Sequence, residues 1–163
     1  MITPLIILGL LLLPLVFAWL IGGAEKARAG GVLGIALAFI FFGIGHFVQT
    51  EEMVEMLPSF VPFAVPLVLA TGVLELAIGL GLLSAVTRRI AGIVAILVFV
   101  GFFPANVFAA FNHVGMGGHV WGPVYLLIRA PLQALLIWWV WYFTLPPNGR
   151  ALTRSAPIAN VSV

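Results

Sequence analysis

Five stretches of this chain run with almost no charge over roughly the length of a bilayer-spanning helix: about Pro4–Ile21, Val32–Val48, Ala64–Leu83, Ile90–Phe111 and Val124–Phe143. A span needs about 20 apolar residues. Only Glu75 and Arg129 place a formal charge inside the five. The segments are apolar on every face, whereas the strands of a closed barrel, the other architecture that lipid permits, alternate apolar and polar residues. Charged residues make up 7% of the 163 and hydrophobic ones 63%, while a water-facing domain carries roughly 25% charge. The fold class is therefore an all-α integral membrane protein with five transmembrane helices. The first segment is followed by "ARAG" (Ala27–Gly30), which looks like a cleavage site. It has no basic n-region, and its apolar run exceeds the roughly 7–15 residues of a signal peptide, so it reads as a retained helix.

The charges between segments give an orientation. The first connection holds Glu25, Lys26 and Arg28, and the second holds Glu51, Glu52 and Glu55 with no base. Arg88 and Arg89 sit in the third, none in the fourth (Asn112–Pro123), and Arg150 and Arg154 in the tail. Six of the seven basic residues thus share one side. The positive-inside rule makes that side cytoplasmic, with the N-terminus outside and the C-terminus inside. Trp138, Trp139, Trp141 and Tyr142 at the inner end of the fifth segment read as an interfacial aromatic belt. The sequence pI of about 9.7 comes from so few groups that it gives no ground for a nucleic-acid partner. No cysteine is present, which excludes disulfides, thiolate metal sites and a thiol relay carried by this chain alone.

Orientation gives every polar residue a depth. His46 ends the second segment at the outer side, and Asn106 and Asn112 lie near the outer end of the fourth. Arg129 lies about 7 Å below the start of the fifth, with Gln133 a turn deeper, and Glu75 about 16 Å into the third, at 1.5 Å per residue. The polarity is gathered in one leaflet and the loops above it. A charge near the bilayer centre costs a few kcal/mol, so such residues face the bundle interior and pair. Glu75 and Arg129 are expected to approach one another directly, or through water, Gln133 or a ligand. A buried pair that only fixes helix register is the competing reading. Glu51 and Glu55, four apart with Met53, Met56 and Leu57 on the other side, suggest a short amphipathic helix along the outer surface. His113 and His119 stand six apart in a glycine-rich loop, which is no helical metal spacing. With His46 and a glutamate they could supply N/O ligands, but nothing demands it and no metal is assigned.

Small residues at Gly34, Ala38, Gly43, Gly45, Gly72 and Gly79 mark faces where helices can approach closely in lipid. Pro104 and Pro131 free backbone carbonyls beside Asn106, Arg129 and Gln133. A weak parallel duplication is also visible, in which His46 corresponds to Asn106 and Glu75 roughly to Gln133.

The chain resembles the DoxX-like family of bacterial membrane proteins over about residues 31–143. The resemblance rests on "FFGIGHF", "LVLATGVLELAIGLGLL", "TRRIAGIV" and "GPVYLLIRAPLQALLIWWVW", and most of all on Arg129, Pro131, Leu132 and Gln133 as an Arg-x-Pro-Leu-Gln element. It implies a four-helix core at 31–143, with 1–30 as an additional N-terminal helix and loop and 144–163 as a short cytoplasmic tail. It also implies the bacterial inner membrane. Some members of that family are the membrane subunit of thiosulfate:quinone oxidoreductase.

Two classes of function follow. In one, an outer-leaflet pocket of Glu75, Arg129, Gln133, His46, Asn106, His113 and His119 binds a small hydrophobic ligand or lipid, and the protein is an accessory subunit of a membrane complex. In the other it is the membrane subunit of a quinone-linked oxidoreductase, with Glu75, Arg129 and His46 as candidate catalytic groups. A small-molecule transporter is a third reading. No cofactor is expected in the chain itself, and quinone is the one external candidate. The expected partners are the lipid bilayer and either a second copy or a membrane or periplasmic subunit.

Overall fold

The computed structural model describes residues 2–115 and 118–145. Met116 and Gly117 of the connection between the fourth and fifth apolar segments, and the tail with Arg150 and Arg154, lie outside the described residues. Every regular element among the described residues is helical: α1 (Ile2–Val48), α2 (Thr50–Glu55), α3 (Ala64–Leu83), α4 (Arg88–Phe111), a 3₁₀ segment (His119–Tyr125) and α5 (Leu126–Thr144). Four units are long and apolar enough to cross a membrane: α1, α3, α4 and the run His119–Thr144.

α1 is not one rod. Gly22 (φ −146°, ψ 20°) and Gly23 (φ 60°, ψ −154°) leave helical geometry, and the conformation of Gly23 is one that a side chain would oppose. The arms 2–21 and 24–48 fold back on each other. A Cβ on Gly30 would lie 2.4 Å from the Pro14 carbonyl, and one on Gly34 2.8 Å from that of Leu11. Contacts that step forward on one arm and back on the other define an antiparallel hairpin. The segment with Glu25, Lys26 and Arg28, expected as a loop, is instead the opening of the second arm. Ala, Glu, Lys and Arg are among the best helix formers, so the two glycines alone make the turn.

The core runs between the arms of α1 and helices α3, α4 and α5, with Ile7, Leu11, Ile35, Phe39, Leu82, Leu136 and Val140 fully buried. Leu5, Leu13, Phe17, Leu80, Leu97 and Leu127 are exposed, as expected where lipid is the solvent. Backbones approach closely where the small residues predicted it. A Cβ on Gly43 would meet the Gly72 carbonyl at 3.0 Å, and one on Gly79 the Ala36 carbonyl at 3.0 Å. Gly45 makes no such approach, with only Met53 at 3.5 Å.

Trp138, Trp141 and Tyr142 are exposed, as an interfacial belt requires, but Trp139 is 4% exposed. Its indole N–H donates to the Gly31 carbonyl at 2.9 Å, and Gly31 also makes room for the Phe143 ring. Trp139 therefore ties α5 to α1 and does not belong to the belt. Trp139→Phe keeps most of the ring and removes the donor. It is expected to lower stability by about 0.5–1 kcal/mol, in the range of interhelical hydrogen bonds in lipid. Reversible unfolding in mixed detergent measures this, and unchanged stability would remove the bond from the account.

Candidate functional site

The polar residues converge at one end of the bundle. That end carries the start of α1, the end of its second arm, α2, the start of α3 and the turn 112–125. The opposite end carries the Gly22–Gly23 turn and the turn into α4 at Arg88 and Arg89. Between the helices lies a cavity of about 600 Å³, within the range of roughly 300–1,000 Å³ seen for small-molecule sites.

One wall is built by α1 and α3. The closeness of Gly43 and Gly72 brings His46 onto α3. The imidazole Nδ1 lies 2.8 Å from the Val68 carbonyl and 3.2 Å from the Thr71 hydroxyl. The Thr71 hydroxyl itself donates back to the Leu67 or Val68 carbonyl. A carbonyl cannot donate, so Nδ1 carries hydrogen. On the far side of the ring, Nε2 lies 3.2 Å from a carboxylate oxygen of Glu75. The distance is that of an ion pair, but the oxygen lacks hydrogen-bond geometry to any partner among the described residues. Glu75 is 3% exposed. With Nδ1 already a donor, a neutral Nε2 and an ionised carboxylate would be two acceptors face to face. One proton, on either the ring or the carboxyl, removes that repulsion and leaves the two groups neutral as a pair.

The other wall is built by α4 and α5. Asn106, buried, donates from Nδ2 to the Phe102 carbonyl at 2.9 Å and so turns Oδ1 outward. Arg129 Nε donates to that oxygen at 3.0 Å. One turn deeper, the Gln133 side-chain amide donates to the Phe99 carbonyl. Phe42, Phe99 and Phe102 add apolar lining, and Met53 of α2 and Met56 just after it complete it.

Glu75 and Arg129 thus share one cavity and lie within Coulombic reach of each other. They do not touch: among the described residues, the ion partner of Glu75 is His46 and no carboxylate reaches Arg129. Each charge meets a nearer polar group first. His119 is buried, lines the cavity and stands edge-on to Tyr125, with ring centroids 5.0 Å apart. His113 is not part of the lining. Its backbone has a positive φ of 52°, and its ring rests over Gly122 with Nδ1 3.2 Å from the Val120 carbonyl. His46, His113 and His119 therefore do not gather. Among the described residues no three His, Cys, Asp or Glu side chains form a group that could hold a metal. Pro104 and Pro131 are both exposed and are not among the residues that line the cavity.

Thr71 and Tyr125 are among the lining residues not singled out from the sequence. Thr71 precedes Glu75 by one helical turn, and Tyr125 precedes Arg129 by the same interval, so each shares a face with a residue already singled out. That spacing was the available signal.

No curated protein and no solved structure matches the chain. Residues 35–144, which carry every polar group of both walls, match a domain of unknown function, DUF8561. The chain belongs to the DUF8561 family, and the matched region begins in the second arm of α1 and leaves the first arm outside it.

Proposed function

We propose that the protein is a membrane-embedded binding protein whose cavity holds the head of a small amphiphile, and that it serves as an accessory subunit of a membrane complex. One observation carries this reading. A cavity of about 600 Å³ at one end of an otherwise apolar bundle draws together His46, Glu75, Asn106, Arg129 and Gln133. Intramembrane ionisable residues mark sites by default. The lining also reaches Phe41 on α1 and Gly101 on α4, both exposed. The cavity then opens sideways between these helices, where a ligand's chain can lie in lipid.

The two arms of α1 with α3, α4 and α5 make five traverses in this reading. Lys26, Arg28, Arg88 and Arg89 lie at the end away from the cavity. Positive-inside placement then puts the cavity in the outer leaflet of a bacterial inner membrane, with the N-terminus outside. Kinship with the DoxX-like proteins, through Arg129, Pro131, Leu132 and Gln133, accords with this. A small bundle without a soluble domain suits association with a second copy or a partner subunit.

A second reading, a quinone site of an oxidoreductase, is favoured by the His46–Glu75 pair, which holds a proton beside an apolar slot. Quinone would supply the electron chemistry, and this chain would orient it and hold the proton. Mass spectrometry and absorption spectra of lipids extracted from the purified protein test both readings. A bound amphiphile in the wild type, depleted in Glu75→Gln and Arg129→Ala, supports the site. Quinone as the depleted molecule selects the second reading. Full occupancy in both variants, or none in the wild type, would sink the cavity as a binding site.

A further inference from the structure

We infer that the cavity selects an oxyanion head, a carboxylate or phosphate borne on an apolar chain, and that Arg129 is the residue that reads it. This rests on the binding reading above and deepens it.

His46 and Glu75 hold one proton between them, for the reason given by the Nδ1 contact, so together they are neutral whichever of them carries it. Arg129 is charged in either case. Glu52, exposed on α2, is the other carboxylate of the lining, and water screens a charge there. Among the Asp, Glu, Lys and Arg side chains of the lining, this leaves the positive charge of Arg129 without a buried counter-charge. In lipid that is costly, and an anion of the ligand is what offsets it.

The geometry narrows the class further. Asn106 cannot turn, because its Nδ2 is fixed on the Phe102 carbonyl. It holds Arg129 by Nε alone. Among the described residues nothing ties the two Nη groups, and Arg129 lines the cavity. A guanidinium held through Nε presents its terminal N–H groups as a fork, which matches the paired oxygens of a carboxylate or phosphate. A neutral head would leave that charge unanswered, and an ammonium head would repel it.

The test offers purified protein in nanodiscs an equimolar mixture of hexadecanoate, hexadecyl phosphate, hexadecanol and hexadecylamine, and reads occupancy by native mass spectrometry. The expected result is that the carboxylate, the phosphate or both outcompete the alcohol by at least about tenfold, with the amine weakest. The favoured head distinguishes a fatty-acid-like ligand from a phospholipid-like one. Arg129→Gln is expected to erase the preference while the alcohol still binds. Arg129→Lys keeps the charge without the fork and is expected to retain part of it, which also covers the case in which Arg129→Gln does not fold. If the alcohol binds as well as the anions in the wild type, or the preference survives Arg129→Gln, the oxyanion inference fails and the binding reading stands. If no probe binds, both fail.

Discussion

His46→Leu is expected to destabilise the protein by about 3–5 kcal/mol, the loss typical when one member of a buried ion pair is removed. The variant leaves the carboxyl of Glu75, 3% exposed, without its only ion partner among the described residues. Glu75→Leu should cost less, about 1–3 kcal/mol. It strands a single Nε2 acceptor, while Nδ1 keeps the Val68 carbonyl and the Thr71 hydroxyl. The double variant, with both positions leucine, is expected to recover most of the loss, because an apolar replacement of a whole buried pair is often neutral. The diagnostic quantity is this non-additivity, measured by reversible unfolding of all four proteins in mixed detergent. If the two single effects simply add, the groups are independently solvated by the cavity. The two groups then do not share one proton, and the neutrality of the pair beside Arg129 falls with it.

The apolar spans were legible because lipid constrains composition before it constrains packing. α3 begins and ends where the hydropathy alone placed it, at Ala64 and Leu83. The end of the bundle to which most of the polar residues belong was legible too, since 1.5 Å per residue converts position into height along a helix. His46, Glu75, Asn106, Arg129 and Gln133 accordingly line one cavity. Partner choice was not legible. It depends on how far each helix is rotated and which neighbour stands closest, and no single helix encodes that. Glu75 meets His46 because Gly43 and Gly72 let α1 and α3 close up, while Arg129 meets Asn106 on the adjoining pair α4 and α5. The loop expected around Glu25, Lys26 and Arg28 erred by treating charge as a sign of loop, although these residue types favour helix. Trp139 departs from the expected belt for a related reason. A tryptophan near a helix end reads as an anchor unless the glycine across from it, here Gly31, is known to be its neighbour.

A single methyl group at Gly72 is expected to disturb the His46–Glu75 wall directly. A Cβ there would sit 2.6 Å from the Cβ of His46 and 3.2 Å from the Gly43 carbonyl. Neither is the free end of a flexible side chain, so α1 and α3 must separate. Overpacking of this kind costs about 1–3 kcal/mol for small insertions and more for larger ones. The separation acts on the site as well as on stability. The Nδ1 contact of 2.8 Å to Val68 and the Nε2 approach of 3.2 Å to Glu75 both span the same two helices, and neither survives a shift of an ångström. Gly72→Ala is therefore expected to lose ligand occupancy along with stability, and Gly72→Val to lose both more completely. Gly9→Ala is the matched control: it lies in the first arm of α1 with nothing within 4 Å of the new Cβ. It should leave occupancy unchanged and add up to about 1 kcal/mol from helix propensity. Occupancy and unfolding of the three variants, measured on the same preparations, decide the matter. A Gly72→Ala protein as stable and as fully loaded as the wild type would mean that the closeness of α1 and α3 does not build the His46–Glu75 wall.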